Sequence, residues 1–136
     1  MGPERGGVEP RFFFDRNLGK RVPEALEKEG WLVEKHDDHF SPDTPDEVLF
    51  RAVSDRDWIF ITQDKRIRFR AAERRALLDY GLRTFSLVST ANLSAQDTIE
   101  VLRRAHEAMV QTVADVDGPF VVGIYKDGSL KALNIK

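Results

Sequence analysis

Residues 58–64, Trp-Ile-Phe-Ile-Thr-Gln-Asp (WIFITQD), decide the fold. A short, unbroken apolar run without polar alternation is a strand covered on both faces, as in the middle of a parallel sheet. The run closes on Thr62, and Asp64 stands in the segment that opens the next helix, expected from about Asp64 to Tyr80 with Gly81 as its stop.

The same alternation of short apolar runs and helix-period segments continues on both sides. Upstream, Thr44 is the expected N-cap of a helix, with Pro45 in the first turn and Glu47 three residues after the cap; Val48, Leu49, Ala52 and Val53 give its inner face. Before it, Arg11 to Asp15 (RFFFD) reads as a buried strand ending in an acid. Asn17 to Glu29 follows as a helix with Leu18, Val22, Ala25 and Leu26 on one side and Gly30 as its stop. Pro23 lies inside, so that helix starts near Arg21 or bends there. Trp31 to Lys35 is a second strand, and residues 36–43 are a polar loop.

Downstream, Leu82 to Val88 is a strand, and Ser94 caps a helix with Asp97 at the capping-box position and a stripe of Ile99, Leu102, His106, Met109 and Val113. A hairpin closes the chain: Phe120 to Tyr125, a two-residue turn at Asp127-Gly128, then Leu130 to Ile135. Successive strand–helix units imply an α/β fold with a mainly parallel sheet, helices on both faces and the hairpin at one edge.

The chain has 136 residues, 41% apolar and 32% charged. That is the size of one domain, placed at residues 11–136, behind an N-terminal tail (residues 1–10) expected to be flexible. No apolar stretch approaches the roughly 18 residues a membrane helix needs. The absence of cysteine excludes disulfides, thiol nucleophiles and thiolate zinc sites, and fits a cytoplasmic location. The net charge of −2 gives no blanket attraction to nucleic acid. Charge is nonetheless segregated. Asp37, Asp38, Asp43, Asp46 and Glu47 fall within residues 36–47 without a Lys or Arg, whereas Lys65, Arg66, Arg68, Arg70, Arg74 and Arg75 face only Glu73 within residues 65–75. Such loci suit a cation and a phosphate side by side.

Ligands of parallel sheets bind beyond the carboxyl ends of the strands. That edge receives Asp15 from the first strand, Thr62 and Asp64 from the third, and Asp43, Asp46 and Glu47 from the segment after the second. Like charges so gathered repel, and a divalent cation resolves the conflict. Oxygen donors without thiolates favour Mg²⁺ or Mn²⁺. Each acid also has a plainer role: Asp64 as a helix cap, Asp46 and Glu47 as favourable charges at a helix N-terminus, Glu47 in a capping box, and Asp43 in a turn after Pro42. A bare carboxylate closing three phenylalanines, as Asp15 does, has the weakest such explanation. His36 and His39 read as part of a solvated loop, and His106 as a core residue. No Gly-rich phosphate loop and no serine nucleophile elbow occur.

FFFDRNLGKRVPEALEKEGW and TPDEVLFRAVSDRDWIFITQDKRIRF, within residues 11–90, resemble the PIN-like ribonuclease domains, in particular the VapC-type toxin relatives. The shared features are a strand ending in Asp with Asn-Leu after it, a Pro-Asp-Glu helix start and a strand closing with Thr-x-Asp-Lys. The resemblance implies a Rossmann-like α/β/α sandwich and a metal-dependent endoribonuclease, the toxin of a toxin–antitoxin pair, with RNA as substrate, a cognate antitoxin as partner and frequent homodimerisation. On this chain it implies Asp15, Asp46 and Asp64 as metal ligands, with Glu47 as a further candidate beside Asp46, and Thr62 as the accompanying hydroxyl; Asp43 is a further candidate from its place at the strand edge alone. Lys65, Arg66 and Arg68 are the expected RNA-phosphate contacts. Arg66 stands where relatives carry another acid, so the alternative is a catalytically degenerate domain that binds RNA or a protein.

Overall fold

One sheet organises the computed structural model, which describes residues 9–64, 67–90 and 92–135. Its strands are β1 (Arg11–Phe14), β2 (Leu32–Lys35), β3 (Ile59–Thr62), β4 (Arg83–Leu87), β5 (Phe120–Ile124) and β6 (Leu130–Leu133), in the order β2-β1-β3-β4-β5-β6. β1 to β5 run parallel, and β6 returns antiparallel to β5 at the edge. The helices are α1 (Arg21–Lys28), α2 (Asp46–Asp55), α3 (Ala71–Tyr80) and α4 (Ala95–Asp115). α1 packs with α4, and α2 with α3.

Side-chain alternation along the strands builds two cores. Phe12, Phe14, Ile59, Ile61, Phe85, Leu87 and Ile124 join Leu26 of α1 and Leu102 and Met109 of α4. Phe13, Phe60 and Val121 point the other way and join Leu49, Phe50 and Val53 of α2 and Leu77 of α3. The result is an α/β/α sandwich whose central strands are covered on both faces, with only Thr62, Thr84 and Ser86 polar among their buried side chains. Each phenylalanine so covered contributes roughly 1.5–3 kcal/mol over exposure.

Several boundaries differ from the sequence expectation. The first helix starts at Arg21, one of the two outcomes Pro23 allows, and a 3₁₀ turn at Arg16–Leu18 takes the place of its expected first residues; Pro23 sits in the first turn of α1, where its missing N–H costs nothing. Thr44 does not cap α2. Its hydroxyl donates to Ser41 O at 2.8 Å and its N–H to the same oxygen at 3.1 Å, so it closes a turn, and Pro45 leads the helix with no side-chain cap. α3 begins at Ala71 and not near Asp64. Ile67 is drawn into the core at 3% exposure, and a turn delivers it there better than a helix would. Ser94 does cap α4, accepting from Asp97 N at 3.0 Å. The hairpin turn is longer than expected. Gly128 N donates to Tyr125 O and Tyr125 N to Ser129 O, and Gly128 alone of the Asp127-Gly128 pair takes a positive φ. That is a type I turn with a glycine bulge.

The tail expected over residues 1–10 lies outside the described residues except for Glu9 and Pro10. No helix among the described residues is long and apolar enough to cross a membrane.

Candidate active site

The strand order reverses at β1. Its neighbour β2 lies on one side and β3 on the other, so the crevice beyond the carboxyl ends of β1 and β3 is the switch point where parallel sheets bind ligands. Phe14 pairs with Ile61 in the ladder, which puts Asp15 beside Thr62. Asp15 N donates to Ile61 O at 2.9 Å, the last bond before the two strands part.

Side-chain bonds fix this corner. The Thr62 hydroxyl donates to Asp15 Oδ2 at 2.8 Å and accepts from Asp64 N at 3.0 Å and Asn17 Nδ2 at 2.9 Å. Asp15 Oδ1 accepts from Arg16 N at 2.8 Å. Asn17 Oδ1 accepts from Gln63 N at 3.1 Å, tying the turn after β1 to the loop after β3. Burial pushes the Asp15 carboxyl above the usual range, and the charge of Asp64 adds to the rise. The Thr62 and Arg16 hydrogen bonds and the nearby His36 pull it back. No Lys or Arg among the described residues forms an ion pair with Asp15.

Asp46, at the first position of α2, meets a different partner. It lies near Glu73 of α3, whose carboxyl is raised by burial and by the proximity of Asp46 while Arg70 pulls it down. Arg70 Nη1 donates to Asp64 Oδ2 at 2.5 Å and to Glu73 Oε2 at 2.9 Å. The acids therefore form two pairs, Asp15 with Asp64 and Asp46 with Glu73, with one guanidinium between them. Among the described residues, no three His, Cys, Asp or Glu side chains are grouped to hold a metal ion as they stand.

The remaining candidates lie elsewhere. Glu47 turns to Tyr80, whose hydroxyl donates to it at 3.4 Å. Asp43 accepts from the Ser41 hydroxyl at 2.6 Å in the exposed turn before α2, a bond that lowers its carboxyl. Arg68 Nη1 donates to Asn134 O at 2.9 Å, and its guanidinium lies 4.1 Å from the centre of the Phe69 ring. Lys65 and Arg66 lie outside the described residues.

A cavity of about 310 Å³ adjoins Asp15, lined by Phe14, Arg16, Lys20, Lys35 and His36 among others. His36 is buried against Phe13 rather than solvated, with Nδ1 3.2 Å from Asp37 Oδ1. His106, expected as a hydrogen-bonded core residue, stacks on Trp31 at 4.2 Å but is 30% exposed, and its Nε2 has no hydrogen-bond partner among the described residues.

Asn17, Arg70 and Glu73 belong to the corner although sequence reasoning did not single them out as site residues. The Asn two residues after the strand-ending Asp was the available signal for the first. The other two are disguised as an ordinary i,i+3 pair at a helix start.

A curated relative, "Putative ribonuclease VapC45" of Mycobacterium tuberculosis (strain ATCC 25618 / H37Rv), is 29% identical, with 89% of this chain and 90% of the relative covered. No solved structure matches the chain. The family model described as PIN like domain matches residues 10–89, the span that holds both acid pairs and the strand ends presenting them. With its sheet order and its Asp-bearing strand end, the chain belongs to the PIN-like domain family.

Proposed function

We propose that this protein is a Mg²⁺- or Mn²⁺-dependent endoribonuclease and the toxin of a toxin–antitoxin pair. One observation carries the reading. At the switch point, Thr62 ties a half-buried carboxylate, Asp15, to the loop carrying a second, Asp64, and no described Lys or Arg forms an ion pair with Asp15. The name of the curated relative points to the same reaction.

The donor chemistry fits a hard divalent ion. Asp15 is a carboxylate raised by its own burial, the condition a cation relieves, and the surrounding donors are oxygens. Asp15 and Asp64 would hold the ion, with Asp46 approaching from α2. Such an ion ionises a bound water and stabilises the charge on a phosphoryl group under attack. The rest falls to this chain's own residues. Thr62 and Arg16 N–H aim the Asp15 carboxylate. Asn17 keeps the two loops at fixed separation, and the strands keep both from drifting. Lys65 and Arg66, next to Asp64 in the sequence, and Arg68 beyond them engage RNA phosphates, so added salt weakens binding. Inhibition by a cognate antitoxin, homodimerisation and a cytoplasmic location belong to the same proposal.

A second reading, a degenerate module that binds RNA or a protein without cleaving, is favoured by Arg66, which stands where relatives carry an acid. Incubation with total RNA, with and without Mg²⁺, separates the two. A nuclease gives cleavage that EDTA abolishes, whereas a binder gives RNA affinity that neither addition alters.

A further inference from the structure

The acidic corner contains its own cation. A single nitrogen of Arg70 bridges Asp64 Oδ2 at 2.5 Å and Glu73 Oε2 at 2.9 Å, and the Asp46 carboxylate lies near Glu73. Asp64, in the loop after β3, and Glu73, on α3, thus meet at the Arg70 guanidinium, with Asp15 tied to the same loop through Thr62. The Glu73 side chain is only 16% exposed, so its charge needs a partner, while Arg70 is 46% exposed and has an open path outward. One nitrogen shared by two carboxylates is the arrangement a bound metal ion makes, here made by a monovalent group.

We propose that Arg70 is a resident counter-cation of this centre, that a divalent ion displaces it from Asp64 and Glu73, and that Glu73 then serves as a further carboxylate for the ion. The inference rests on the metal-dependent reading above. Two physical arguments carry it. Carboxylates this close need positive charge between them at all times, and a small dication supplies twice that of a guanidinium to the same oxygens. An ion pair as exposed as that of Arg70 is worth no more than about a fivefold factor in an equilibrium, so exchange is affordable. Glu73 also supplies the acid that Arg66 does not.

Mn²⁺ binding to the full chain, followed by calorimetry and by the electron paramagnetic resonance of free Mn²⁺, tests it without reference to cleavage. Arg70→Gln should bind Mn²⁺ about fivefold more tightly than the parent, and Glu73→Gln about tenfold more weakly, with both variants folded by circular dichroism. Should Arg70→Gln not fold, Arg70→Lys replaces it, and tighter binding is again expected because the shorter lysine side chain does not carry its ammonium as far as the bridging nitrogen. Arg70→Gln (or its Lys substitute) binding no more tightly than the parent, or Glu73→Gln binding as tightly, overturns the inference. Asp15→Asn separates the two levels. If that variant loses Mn²⁺ while the Arg70 and Glu73 variants match the parent, this inference alone fails. If Asp15→Asn binds Mn²⁺ unchanged, the metal-dependent reading fails with it. A parent that binds no Mn²⁺ beside an Arg70→Gln variant that does supports displacement, and silence from both overturns it.

Discussion

Thr62 and Asp15 follow one another across the β1–β3 ladder, and the Thr62 hydroxyl donates to Asp15 Oδ2 at 2.8 Å. Thr62 Oγ1 in turn accepts from Asp64 N and Asn17 Nδ2, so one buried hydroxyl organises both loops at the crevice. Threonine suits the place twice over. Its β-branched body continues the strand, and its hydroxyl replaces the strand partners that the chain loses where it leaves the sheet.

Thr62→Val keeps the shape and removes that hydroxyl. Asp64 N–H and the Asn17 amide lose their acceptor, and Asp15 loses a donor. The variant should lose about 1–3 kcal/mol in urea unfolding, and RNA cleavage should fall about tenfold or more because Asp15 is no longer held in place. Thr62→Ser should retain most of both. Equal stability of the Val variant and the parent would show that the hydroxyl organises nothing.

Phe13 tests the second core. It stacks on Trp58 with ring centres 5.8 Å apart and on Phe60 at 6.0 Å, and it is fully buried. Phe13→Ala should cost about 3–5 kcal/mol in denaturant unfolding. Phe69, 63% exposed, serves as the control, and Phe69→Ala should change stability by about 0.5 kcal/mol or less. Similar losses in the two variants would contradict the layer assignment.

What the sequence made legible follows from which forces act locally. RFFFD and WIFIT announce buried strands because burial on both faces forbids alternation, and the carboxyl-edge rule then selects Asp15, Thr62 and Asp64 before any coordinates exist. The order β2-β1-β3-β4-β5-β6 was not legible, since it depends on which helix covers which face. The start of α3 was misplaced because Asp64 resembles a cap and residues 65–70 are good helix formers, yet burying Ile67 outweighs that propensity. Thr44 was misassigned for a related reason: its hydroxyl was already taken by Ser41. Arg70 and Glu73 stayed hidden because their spacing is that of any solvated helix pair. Only the packing of α2 on α3 brings Asp46 against Glu73.

His106 gives the fold a pH dependence remote from the candidate site. Burial pushes its imidazole below the usual value, while Glu9 and Glu107 pull it back. A group with a depressed value in the folded state holds fewer protons there than in the unfolded chain. Its contribution to stability is therefore complete above the ordinary histidine range, near 6.5, and is lost as pH falls through that range toward the folded value. The thermal midpoint should fall between pH 7.5 and pH 5.5. His106→Phe, which can keep the stack on Trp31, should flatten that fall. An unchanged slope in the variant would remove His106 as its source.

The most direct measurement is RNA cleavage by the parent and by Asp15→Asn, each with Mg²⁺ and with EDTA, alongside their thermal midpoints. The parent should cleave only with the divalent ion. Asp15→Asn should lose about a hundredfold or more in rate while its midpoint stays level or rises, because the substitution removes a half-buried charge repelled by Asp64. Cleavage by Asp15→Asn at the parental rate, or parental cleavage undiminished by EDTA, would contradict a metal-assisted nuclease at this strand edge.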